Sequence, residues 1–178
     1  MSNKACFQHR IFCSAASHVT DDEILDANEV HTAACLKAIS QAGFNGIWLT
    51  ATLRELVPGE LFGPYIRRSA ERLRALQMLC KRASKRGLGV WLYLKEPCGL
   101  PKSSRFWKAH PELRGVPSRS PTEEPAWALC SSTPLVKEYL RDAAEQLFRR
   151  VPLAGTILIT ASEHVSHCWS HVVASPKS

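Results

Sequence analysis

The sequence predicts an α/β fold built on a parallel sheet, and three observations carry that expectation. Short apolar, β-rich runs recur at residues 47–50, 90–94 and 156–160. Each follows a helix-like stretch closed by glycine: Gly43 and Gly46, Gly87 and Gly89, then Gly155. Runs that are apolar throughout suit strands buried on both faces, as parallel strands are. Between them lie stretches of helical period, so the order reads β-α-β-α-β-α-β, which calls for parallel strands with right-handed crossovers.

Taken in order, residues 10–14 form a weaker first strand, and residues 31–41 a helix with Cys35, Leu36 and Ile39 on one face. After the second strand, Ile66, Ala70, Leu73, Leu76, Leu79 or Cys80, and Ala83 recur at helical spacing. The third strand leads into residues 97–132, rich in proline and serine, which read as a loop. That stretch is longer than a connector needs, and it follows a strand C-terminus, where α/β proteins place binding loops. Thr133 and Pro134 then cap a helix whose stripe of Val136, Tyr139, Leu140, Ala143 and Leu147 runs toward Arg150. An open doubly wound sheet and part of a (β/α) barrel both satisfy this pattern.

Composition narrows the class. The 178 residues are 45% hydrophobic and 22% charged, enough for one ordinary domain over 1–178 with a real core. No apolar run reaches the roughly 18–20 residues of a membrane span, and the N-terminus lacks a secretory h-region. Seven cysteines, odd in number and without a Cys-x-x-Cys pair, point to a reducing cytoplasmic setting with mostly buried thiols. The formal charge of +7 is confined to residues 64–88, which hold eight basic residues and one acid; the rest is neutral. This is the solvated outer face of a helix, without the basic aromatic platform of a nucleic-acid binder.

Polar groups gather just beyond the strand ends, at Lys95-Glu96 and at Ser162-Glu163-His164. These are the C-terminal edges where parallel α/β proteins bind ligands. A carboxyl held there is partly desolvated, its pKa rises, and it is suited to general-acid work. His164, His167, Cys168 and His171 have a spacing zinc would tolerate, but no second ligand cluster accompanies them, so no metal is expected. No phosphate-binding or dinucleotide fingerprint is present, and no cofactor is expected. Trp107, Trp127 and Trp169 fall in loop or strand-end segments, where exposed aromatic faces stack on sugar rings.

Five segments together resemble a known group: residues 42–49 (Ala-Gly-Phe-Asn-Gly-Ile-Trp-Leu), 93–97 (Tyr-Leu-Lys-Glu-Pro), 110–115 (His-Pro-Glu-Leu-Arg-Gly), 130–134 (Cys-Ser-Ser-Thr-Pro) and 159–163 (Ile-Thr-Ala-Ser-Glu). Over residues 10–171 the chain is similar to bacterial glycoside hydrolase-type TIM barrels related to the family 20 β-hexosaminidases. The resemblance implies a carbohydrate substrate and Glu163, at the end of the fourth strand, as the acid/base that protonates the leaving glycosidic oxygen. It further implies Arg10, Lys95 and Glu96 as substrate ligands, with His164 and Trp169 lining the same pocket. Ser162 stands where family 20 has an Asp, so acetamido-assisted cleavage is not implied.

A closed (β/α)8 barrel takes about 200–250 residues. The chain is therefore expected to be a partial, truncated barrel of about four β-α units, with open edges that favour homo-oligomers. Two other readings follow: a non-catalytic fragment that retains carbohydrate binding, and a lyase or isomerase of barrel type using Lys95 and Glu96.

Overall fold

A computed structural model describes residues 7–14, 17, 20, 22–117 and 125–158. In chain order they form β1 (Ile11–Cys13), α1 (Glu23–Val30), α2 (Ala33–Gln41), β2 (Gly46–Ala51), and the short helices α3 (Leu53–Leu56) and α4 (Gly59–Phe62). There follow α5 (Ser69–Ser84), β3 (Gly89–Leu94), β4 (Leu100–Pro101), α6 (Phe106–Ala109), β5 (Arg114–Pro117), β6 (Ala126–Leu129), α7 (Pro134–Arg150) and β7 (Gly155–Leu158). A 3-10 turn at Pro111–Leu113 precedes β5.

The fold is α/β, as expected. Strands β1, β2, β3 and β7 lie side by side in that order in one parallel sheet, with Phe12 opposite Ile47. Spatial order therefore repeats chain order. A doubly wound sheet reverses direction at a switch point, so the order observed is that of successive strands of a (β/α) barrel. The chain divides into two compact units, the first drawn from 1–51, 70–93 and 148–157, the second from the remainder.

In the first unit the sheet has unequal faces. Ile47 and Leu49 of β2 and Val90 and Leu92 of β3 are buried, and so are the inner faces of α1, α2 and α5. The alternate residues Trp48, Trp91 and Tyr93 are half-buried. Asp22 and Thr32 cap α1 and α2, accepting from Leu25 N and Cys35 N. Gly43 and Gly87 close α2 and α5 with φ of +89° and +69°. The sequence pattern gave no sign of α1, whose eight residues bury only Ile24 and Ala27. In α5, Leu73, Leu76, Leu79, Cys80 and Ala83 are buried on the expected period, whereas Ala70 is exposed and Ile66 precedes the helix.

The basic face of α5 is not uniformly solvated. Arg72 pairs with Asp22 at 2.8 Å. Arg82 donates to the carbonyl and Oδ1 of Asn28, each at 2.9 Å, and to the carbonyl of His31. Two of the basic residues thus tie α5 to the two ends of α1.

The second unit corrects the sequence reading of residues 97–132. Where proline suggested a loop, β4, β6 and β5 form a three-stranded antiparallel sheet in that order. Its prolines are tolerated because Pro101 and Pro117 end edge strands, where a missing N–H is cheap. Trp107 is a second correction: it is 1% exposed, and its Nε1 donates to Pro101 O at 3.0 Å. Its neighbour Phe106 stacks on Phe62 with ring centroids 4.8 Å apart, and Tyr139 meets Phe62 edge-on at the same separation. Trp127 is half-buried under the Lys102 ammonium, 4.9 Å from the ring centre.

Cysteines 13, 35, 80, 98 and 130 are free thiols. Among these described thiols only Cys80 is buried, which raises its pKa to about 12, and with four of the seven cysteines at least partly exposed the expectation of mostly buried thiols is not met. No described helix is long and apolar enough to cross a membrane.

Candidate functional site

The C-terminal edge of the first unit's sheet collects polar side chains. Ser14 follows β1 directly and continues its ladder, donating its N–H to Trp48 O at 3.0 Å. Beyond it β1 stops, and Glu23 from the first turn of α1 takes the next place: its Oε2 accepts from Thr50 N at 3.1 Å. A carboxylate thus replaces a backbone carbonyl beside β2. Ser14 Oγ lies 2.9 Å from His31 Nε2, and both residues are buried. Burial, and then the Arg82 charge, hold His31 below its ordinary pKa, so its ring is neutral at pH 7. His31 Nδ1 and the hydroxyls of Ser17, Thr20 and Thr50 are buried without a protein partner. Buried polar atoms are nearly always paired, so these atoms remain available to water or to a polar ligand.

This cluster was not recognised in the sequence. Ser14 and Thr50 are ordinary residues at strand ends, Glu23 belongs to a helix that periodicity did not reveal, and His31, expected to open the next helix, instead caps the end of that one.

The second unit holds the other polar group. Glu96, 8% exposed, accepts from Leu53 N at 2.6 Å and from Cys98 N at 3.2 Å. Arg54 donates to Cys98 O at 2.8 Å and to Gly99 O at 3.0 Å, while Thr52 donates its N–H and hydroxyl to Glu55. Desolvation raises the Glu96 pKa, against the lowering effect of the two N–H donors and the Arg54 charge. Both carboxyl oxygens are held by backbone, so Glu96 fixes the start of α3 to the end of β3. Its peptide bond to Pro97 is cis.

The other expected site residues are placed as follows. Arg10 precedes β1 at the N-terminal end of the sheet, where its Nε donates to Gly43 O at 2.6 Å and its backbone N–H to Asn45 Oδ1 at 2.7 Å. Lys95 is half-buried after β3. Arg10 therefore lies just before its strand, whereas Lys95 and Glu96 follow the end of theirs. Glu163, His164 and Trp169, with His167, Cys168 and His171, lie outside the described residues. Among the described residues no three His, Cys, Asp or Glu side chains are placed to hold a metal ion.

Parallel strands in chain order give the chain an α/β fold that it shares with solved structures. Among the solved structures it resembles are variants of the GH36 α-galactosidase AgaA of Geobacillus stearothermophilus. The complex with stachyose superposes with a TM-score of 0.56 at 16% identity over 85% of this chain. The complexes with 1-deoxygalactonojirimycin and raffinose give 0.54 and 0.53 at 17% and 16% identity, each over 84% of this chain. The chain spans 21% of the length of these enzymes. No protein-family model matches the sequence, and no curated protein matches it. The likeness concerns the fold alone.

Proposed function

We propose that the chain is a glycoside hydrolase-like protein, acting on O-glycosidic bonds with Glu163 as general acid/base. The observation that carries this reading is the sequential four-stranded parallel sheet, in a chain that superposes on an α-galactosidase over 85% of its length. In sequence its fourth strand leads directly toward Glu163. There the carboxylic acid would give its proton to the leaving oxygen while positive charge develops on the sugar. Ser14, Glu23 and Thr50, at the same strand edge, are the described groups best suited to meet sugar hydroxyls. Glu96, held by two backbone donors, is better suited to fixing the fold than to lyase or isomerase chemistry.

The test is turnover of a panel of aryl glycosides, including α-galactosides and β-N-acetylhexosaminides, by wild type and Glu163→Gln. Stachyose and raffinose serve as natural oligosaccharides. Hydrolysis by wild type, lost in the variant, is the expected result. Absence of turnover in both would overturn it. A second reading, carbohydrate binding without turnover, is favoured by the small share of the matched enzymes that the chain spans.

A further inference from the structure

One face of α5 and a groove beside α7 are complementary in charge and in apolar content. Residues 74, 78, 81 and 85 recur at helical spacing, which sets Arg74, Met78, Lys81 and Lys85 on a single line along α5 and just past its end. All four are exposed, Met78 at 57%, so a long apolar side chain stands in water between cations.

The groove, about 390 Å³, runs between α4 and α7. Leu61, Leu135 and the Tyr139 ring line it; Leu135 is 44% exposed. Glu60, Glu138 and Asp142 supply its charge, and among the described residues no Lys or Arg lines it. Arg141 reaches Glu138 at 3.8 Å and Asp142 at 3.0 Å from outside, but all three are well exposed, and pairs of that kind contribute little. The groove remains net negative.

We propose that α5 of one copy of this chain docks in the α4–α7 groove of a second copy. Met78 enters between Leu135 and Tyr139, a favourable thioether–aromatic contact, while Arg74 and Lys81 meet the three carboxylates. A second copy is the occupant because the chain's whole excess of positive charge lies on this segment. The two faces differ, so the contact is head to tail and can add further copies.

Sedimentation velocity between about 0.05 and 0.5 M salt tests the proposal, since screening weakens such contacts. Wild type should self-associate at low salt and dissociate at high salt. Glu138→Lys with Asp142→Lys, or Arg74→Glu with Lys81→Glu, should each abolish association, and the four substitutions together should restore it. Met78→Ser, which leaves the charges untouched, should weaken it at least tenfold. A monomer at every salt concentration overturns the proposal, as does association that survives either reversal or is not restored by both. Association indifferent to salt also overturns it and directs attention to the aromatic face of the parallel sheet. None of these readings depends on glycoside turnover.

Discussion

The indole of Trp91 lies across the neighbouring strand at Gly155: a Cβ there would stand 2.8 Å from Trp91 Cε3, inside the ring's van der Waals surface. On the other side, a Cβ at Gly46 would stand 3.0 Å from Trp91 Nε1. Glycines on β2 and β7 thus leave a shallow seat on the sheet for the ring on β3. Their positions before the apolar runs read in the sequence as helix stops; in the fold they make room for an aromatic ring.

Gly155→Ala should therefore force the indole or the strand to move, costing about 1–3 kcal/mol. Urea unfolding measures the loss. Combined with Trp91→Leu, the same substitution should cost less than the sum of the two single changes, because the smaller side chain vacates the seat. Strict additivity would show that the ring does not constrain Gly155.

Acid should weaken the fold through His31. Its folded pKa lies below the ordinary 6.5, so the unfolded chain binds the proton first as pH falls. The stability this neutral imidazole contributes is present above pH 6.5 and is lost as pH drops toward the folded value. His31→Gln should flatten the fall in unfolding free energy between pH 7 and 5. An unchanged slope would show that other groups carry it.

For Glu96 the sign is opposite. Its carboxyl keeps a proton to higher pH in the folded chain than the ordinary 4.5, so that contribution is present below 4.5 and is lost as pH rises through the folded value. The stability gap between wild type and Glu96→Gln should narrow as pH is raised. Glu96→Ala, which strips the acceptor from Leu53 N–H, should cost about 1–3 kcal/mol. A stable Ala variant defective only in turnover would instead place Glu96 in the chemistry.

In the second unit, Phe106→Ala opens a cavity beside Phe62 and Trp107, and a loss of about 3–5 kcal/mol is expected, read as a fall in thermal midpoint. A neutral effect would mean that the aromatic cluster contributes little beyond contact.

Much of the parallel sheet was legible in the sequence, because apolar runs after glycines leave few alternatives: β2, β3 and β7 fall where those runs are. The helix α1 was not, since two buried residues in eight make no stripe. Nor was the β4–β6–β5 sheet, because the prolines that suggested a loop sit at edge positions where the ladder does not need their N–H. Of the site, the strand-end position of Glu96 could be read, but its engagement by two backbone N–H groups could not. Ser14, Glu23, His31 and Thr50 come together only through the ends of β1 and β2.

By itself, then, the sequence determined the alternation of strand and helix, the buried face of α5 and the confinement of positive charge to one segment. These follow from local periodicity, which acts between residues a few positions apart. Only the tertiary structure decided between a doubly wound sheet and a sequential one, the seat of Trp91 among glycines from two other strands, and the removal of Arg72 and Arg82 from the solvated face. Those outcomes depend on which strands become neighbours. Neighbours far apart in sequence are chosen by packing, which no local pattern records.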